Sequence, residues 1–161
     1  MCVTIVHRYF THMKPKLIKA YMKTAETFAE LSHARRLHVG AIVVKDDRII
    51  SIGYNGMPSG WDNNCEIETT SNNGNVIQLE LKSKPEVLHA ETNAIAKLAK
   101  STESGLNATM FITHSPCLDC AKLIFQSGIN SVFYRNAYRS EDGIQFLTKS
   151  RITVTQVKKG P

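Results

Sequence analysis

The hydrophobic positions of this chain fall into short blocks with a clear period. Over residues 16–31, Leu17, Ile18, Tyr21, Met22, Ala25, Phe28 and Leu31 recur at helical spacing, which predicts an amphipathic helix. VGAIVVKDDRIISIGYNG follows, two apolar runs around Lys45-Asp46-Asp47, and reads as strand, tight turn, strand. Residues 55–85 run from NGMPSGWDNNC through TTSNNGN to KSKP and are rich in Asn, Gly, Ser and Pro. That composition predicts a long functional loop region. HAETNAIAKLAK returns to helical spacing, with Ala90, Ala94, Ile95, Leu98 and Ala99 on one stripe. NATMFITH at 107–114 reads as a buried strand. A helix is predicted over Pro116–Gln126, with Ser115 as N-cap, Pro116 at the first helical position and Gly128 as the stop. INSVFY at 129–134 is a further strand, EDGIQFLTKS a short helix and RITVTQV a last strand. The order α-β-β-α-β-α-β-α-β predicts an α/β fold, a three-layer α/β/α sandwich with a mixed central sheet.

A length of 161 residues with 42% hydrophobic positions fits one domain over 1–161, with 1–15 as an N-terminal extension. No apolar run is long enough to span a membrane, and MCVTIVHRYFTHMKPK lacks the apolar stretch of a secretory signal. A cytoplasmic protein is the expectation, in host cytoplasm were the source a virus. Four cysteines in such a compartment point to metal or catalysis before disulfides. The net charge of +6 suits phosphorylated ligands or nucleic acid. The cations are spread, however, with approaches to a cluster only at Lys14–Lys19, Arg35–Arg36 and Lys158–Lys159. A spread of this kind reads as a solvated surface, so neither a nucleic acid nor a membrane is expected as partner.

Two short motifs carry the chemistry. His89 and Glu91 open one predicted helix, and Cys117 and Cys120 lie in the first turn of another. Glu91 alone is explained by the positive end of the helix dipole, and His89 alone by a surface position. Cys117 and Cys120 alone fit a redox C-x-x-C or a metal clip. Adjacent helices of an α/β sheet start at the same sheet edge, so His89, Cys117 and Cys120 can meet as three ligands. Zinc accepts such nitrogen and thiolate donors and keeps a fourth position open for water. Glu91 is then left beside the site to move protons. H-x-E followed by P-C-x-x-C is the signature of zinc nucleobase deaminases.

The chain resembles the deoxycytidylate (dCMP) deaminases of the zinc-dependent cytidine/deoxycytidylate deaminase superfamily, of phage and bacterial type, from about Leu31 to Val157. HAETNAI, SPCLDCAK, VGAIVVKDDRIISIGYNGMPSG, IFQSGINSVFY and NAYR carry the resemblance, with GYNGMPSG the most discriminating. It implies hydrolysis of dCMP to dUMP and ammonia, with dUMP feeding thymidylate synthesis. It implies one Zn2+ per chain on His89, Cys117 and Cys120, with Glu91 as the proton carrier. Asn55 would bind the deoxyribose 3′-hydroxyl, although Tyr-Asn-Gly is also a turn sequence. Tyr138 and Arg139 would contact the 5′-phosphate, with Arg36 a further contact for which Arg35 competes. Ala90 and Ser115 would line the substrate.

The resemblance also implies a homo-oligomer, of hexamer type, activated by dCTP and inhibited by dTTP, with Mg2+ accompanying the nucleotide. Tyr54, Gly56, Asp62 and Asn64 mark the expected effector site, whose backbone N–H groups would face phosphate. The alternative is a loop that only shapes the substrate pocket. Some phage members hold a second, structural zinc. Cys65 matches one of its ligands, but HARRLHVG at 33–40 offers only His33 near another, so no second zinc is predicted. Cys2 is read as an ordinary thiol. The rival readings are a tRNA adenosine deaminase, which GYNGMPSG opposes, and a zinc-stabilised nucleotide-binding module, which leaves Glu91 without a task.

Overall fold

The computed structural model describes residues 13–72 and 77–159. Pro15 opens the first helix, α1 (Pro15–Ala29), where its missing N–H would have had no partner. Met22, Ala25 and Ala29 form its buried stripe, while Leu31 lies past the helix and is exposed. Strands β1 (Gly40–Lys45) and β2 (Arg48–Tyr54) form the expected hairpin. Asp46 and Asp47 have φ of 49° and 55°, the left-handed pair that a two-residue hairpin turn matched to strand twist requires.

The region 55–85 differs from the loop predicted for it. It contains β3 (Glu66–Asn72) and β4 (Ile77–Ser83), paired antiparallel as a separate two-stranded ribbon. IQLELKS at 77–83 does alternate apolar and polar positions, the signal a strand leaves in sequence, but its partner EIETTSN does not, and the Asn, Gly, Ser and Pro residues around both read as loop.

The remaining elements are α2 (Ala90–Ala99), β5 (Thr109–His114), α3 (Leu118–Gln126), β6 (Ser131–Asn136), α4 (Asp142–Lys149) and β7 (Thr153–Gln156). The sheet order is β2-β1-β5-β6-β7, with β1 antiparallel to both neighbours and β5, β6 and β7 parallel. Ala41 and Val43 of β1 point to one face with Met110, Ile112 and Val132, where α2, α3 and α4 supply Ala90, Ala94, Leu98, Ala121, Ile124 and Leu147. Ile42, Val44 and Phe111 point to the other face, under Met22 and Ala25 of α1. Phe111 stacks on Phe133 at 4.9 Å there, and truncating so buried a ring costs roughly 3–5 kcal/mol. This is the three-layer α/β/α sandwich with a mixed sheet. Burial on both faces is why GAIVVK reads as a continuous apolar run.

The topology also places the chemistry. β2 and β5 both run antiparallel to β1, so they run parallel to each other and to β6. Their C-terminal ends therefore share one sheet edge, and the N-termini of α2, α3 and α4 gather there. No helix among the described residues is long and apolar enough to cross a membrane.

Candidate active site

His89 is the residue before α2, in extended conformation, and its side chain does not cap the helix. The preceding Leu88 is pinned by a reciprocal bridge: Gly56 N–H to Leu88 carbonyl at 3.1 Å, and Leu88 N–H to Gly56 carbonyl at 2.9 Å. Cys117 holds the equivalent place before α3, and Cys120 lies in the first turn of that helix. The predicted helix start is therefore corrected by two residues. Ser115 is not the N-cap, because its hydroxyl instead accepts the Tyr138 N–H at 2.8 Å while its own N–H donates to the Asn136 carbonyl at 2.8 Å.

The imidazole Nδ1 of His89 lies 3.6 Å from Cys117 Sγ and 3.3 Å from Cys120 Sγ. The three ligand atoms are all within 4.8 Å of one another. A tetrahedral zinc with ordinary Zn–S and Zn–N bonds spaces nitrogen and sulfur roughly 3.5–3.6 Å apart, so the three donors fit that ion in kind and the two nitrogen–sulfur separations lie close to its spacing. Among the described residues this is the one His/Cys/Asp/Glu group that comes together in this way. Cys65 is buried elsewhere, with its thiol toward the Asn63 carbonyl at 3.4 Å. Cys2 lies outside the described residues.

The electrostatics separate the two thiols. Hydrogen bonds from Cys120 and His89 bring the Cys117 thiol down to about 4. The same bond to Cys117, together with burial, pushes the Cys120 thiol upward. The bond to Cys117 also raises the His89 imidazole. Glu91, 4% exposed, is pushed up to about 7 by burial. A carboxyl poised near neutrality both accepts and donates protons.

The other predicted residues are distributed around this edge. Ala90 is fully buried in the α2 stripe. Asn55 already does structural work: its Oδ1 accepts the Val39 N–H and its Nδ2 donates to the Leu37 carbonyl, both at 2.8 Å. One lone pair and one N–H are left over for a ligand. Tyr138 and Arg139 are exposed, and Ser115, two residues before Cys117, fixes the backbone of Tyr138. Arg36 donates to Ser83 Oγ at 3.0 Å, and Arg35 pairs with Glu68 at 2.7 Å.

The expected effector loop is partly held by its own hydrogen bonds. Four backbone N–H groups there are already donated: Asn55 to Val39, Gly56 to Leu88, Trp61 to Pro58 and Asn64 to Asp62 Oδ1. Of Tyr54, Gly56, Asp62 and Asn64, only Asp62 lines the adjacent cavity of about 460 Å³, with Met57, Trp61, Ile67, Lys84, Pro85 and Glu86. Tyr54 instead lies under Lys97, whose ammonium is 5.6 Å from the ring centroid.

Sequence reasoning passed over two residues that hold these pieces in place. Glu66 is 2% exposed, and its Oε1 accepts the N–H groups of Arg35 at 3.0 Å and Arg36 at 3.3 Å. Asn93, in the second half of HAETNAI, donates to the Tyr54 carbonyl at 3.0 Å and ties α2 to the turn that bears Asn55. An Asn inside a helix pattern was the one sequence signal available, since that residue disfavours helix interiors.

Residues 15–136 match the family model described as the cytidine and deoxycytidylate deaminase zinc-binding region. The chain belongs to that family. The deoxycytidylate deaminase of Saccharomyces cerevisiae is 34% identical over 149 residues, covering 89% of this chain and 46% of the yeast protein. The chain thus spans about half the length of that relative. The deoxycytidylate deaminase of Enterobacteria phage T2 is 39% identical over 131 residues, covering 62% of this chain and 69% of the phage protein. The crystal structure of dCMP deaminase from the cyanophage S-TIM5 in complex with dCMP and dUMP is similar with a TM-score of 0.81 and 47% identity, covering 91% of this chain and 100% of that one.

Proposed function

We propose that residues 1–161 act as one deaminase domain that converts dCMP and water into dUMP and ammonia. The observation that supports this most strongly is the His89, Cys117 and Cys120 cluster with the buried Glu91 beside it. The solved dCMP deaminase at 47% identity supports the substrate. His89, Cys117 and Cys120 hold one zinc, which when bound supplies Lewis-acid activation of the attacking water. Glu91 accepts one proton of that water and passes it to N3 of the cytosine ring as the oxygen bonds to C4; it then takes the second proton from the new C4 hydroxyl and delivers it to the amine, so that C4=O forms as the C4–N bond breaks and ammonia leaves. Ala90 and Ser115 frame the base. Asn55 takes the deoxyribose 3′-hydroxyl with the groups its backbone bonds leave over. Tyr138, Arg139 and Arg36 take the 5′-phosphate. The product dUMP serves thymidylate synthesis.

The reading extends to a cytoplasmic homo-oligomer of hexamer type, with dCTP and Mg2+ activating and dTTP inhibiting through the loop that holds Tyr54, Gly56, Asp62 and Asn64. The test is a substrate panel: zinc-loaded protein with dCMP, cytidine, dCTP or a tRNA anticodon stem, followed by ultraviolet absorbance. Fastest loss of absorbance on dCMP supports the reading. Activity confined to the tRNA stem, or none on any of the four, overturns it.

A further inference from the structure

Gly143 stands in the first turn of α4, outside the motifs that carry the resemblance. A Cβ at this position would fall 2.0 Å from the Pro116 carbonyl oxygen and 2.9 Å from that of Cys117. Both are backbone atoms, so no side-chain rotation relieves the clash. The φ of Gly143 is not in the left-handed region, so glycine is here for space and not for conformation. Alanine is the better helix former, so an isolated α4 would gain from it. The first turn of α4 rests directly on the segment that delivers Cys117.

That segment is held from two sides. Ser115 ties it to Tyr138 and Asn136, and Gly143 backs it at Pro116. The Cys117 carbonyl accepts the Ala121 N–H at 2.9 Å, the bond that opens α3. Displacing Cys117 therefore also tilts the turn that carries Cys120.

We propose that Gly143 is a positioning residue for the metal-holding loop: the bare backbone of α4 sets where Cys117 and Cys120 stand relative to His89. The inference rests on the reading that these three residues hold zinc, and its test separates the two.

The experiment measures zinc affinity by chelator competition, and the absorption bands of the cobalt-substituted protein, for wild type, Gly143→Ala and Leu147→Ala. Leu147 is a fully buried α4 residue, and its truncation loosens α4 packing without pressing on Pro116. Residues that support metal ligands typically change affinity by about 10–100-fold when altered. Gly143→Ala should lose zinc affinity in that range and shift the thiolate-to-cobalt band, while Leu147→Ala lowers the melting temperature and keeps the wild-type affinity and spectrum. Wild-type affinity and spectrum in Gly143→Ala overturn the proposal, as does an equal loss in Leu147→Ala. Should Gly143→Ala not fold, hydrogen exchange on the wild type decides, because coupling is reciprocal. Zinc added to chelator-stripped protein should slow exchange of the Gln145 N–H, which bonds the Glu141 carbonyl at 2.9 Å. Unchanged exchange in α4 on zinc binding overturns the proposal. A wild type that binds neither zinc nor cobalt overturns the reading of the site and this inference with it.

Discussion

Gly53 of β2 lies against the backbone of Ala90, the residue between His89 and Glu91. A Cβ on Gly53 would fall 2.1 Å from the Ala90 carbonyl oxygen and 2.6 Å from the Ala94 nitrogen. The strand thus seats the helix that carries both a proposed ligand and the proposed proton carrier. Gly53→Ala should push α2 off the sheet. Overpacking of this kind costs about 1–3 kcal/mol. Urea unfolding should show that loss, and turnover of dCMP should fall with it. Unchanged stability would mean the helix shifts freely and does not depend on this seat.

Glu91→Gln keeps the shape of the buried carboxyl and removes its proton exchange. Zinc content and dCMP affinity should stay at wild-type values while kcat drops by at least 10²–10⁴-fold, the usual range for one general acid–base group. A variant turning over at near the wild-type rate would remove Glu91 from the mechanism.

The same residue sets a pH dependence of stability. Burial raises its carboxyl from 4.5 to about 7 in the folded chain. A raised carboxyl means the folded state holds the proton while the unfolded state has released it. Its stability contribution is therefore full below the unfolded value, is lost as pH climbs through the window up to about 7, and is flat above. The loss amounts to about 3 kcal/mol. In chelator-stripped protein, urea unfolding across that window should fall more steeply for wild type than for Glu91→Gln. Parallel curves would show that Glu91 does not carry the buried proton.

Much of this was legible in the sequence. β1 was legible because both of its faces are buried, and the cluster of His89, Cys117 and Cys120 because H-x-E and P-C-x-x-C are local motifs on helix starts. The β3–β4 ribbon carried half a signal: IQLELKS alternates strictly, but EIETTSN opposite it does not, and the Asn-, Gly-, Ser- and Pro-rich composition of 55–85 reads as loop. The N-cap of α3 was misread because Ser115 and Pro116 are good local helix starters, and a non-local bond to Tyr138 outweighs that preference. Glu66 and Gly143 act across long stretches of chain on backbone atoms, and nothing in the surrounding residues marks such contacts.

The proposed phosphate contact gives a specificity test. Arg139 is exposed beside Tyr138, whose backbone is fixed to Ser115. A charge-assisted hydrogen bond contributes about 1.5–3 kcal/mol, so Arg139→Ala should lower kcat/KM for dCMP by roughly 10–150-fold. Deoxycytidine, which has no phosphate, should be little affected. Both substrates are compared at saturating dCTP and Mg2+, which holds any effector response constant. Equal losses on the two substrates would make Arg139 a structural residue. No loss on either would move the contact to Arg36 or Arg35.

The central claim is that the cluster of His89, Cys117, Cys120 and Glu91 directs hydrolytic loss of the amine from dCMP. Turnover of dCMP by the zinc-loaded protein in 18O-labelled water, read by mass spectrometry, tests it most directly. The account predicts dUMP carrying one 18O atom at C4, with one ammonia released for each dCMP consumed. Unconverted dCMP, or dUMP without the label, would contradict it.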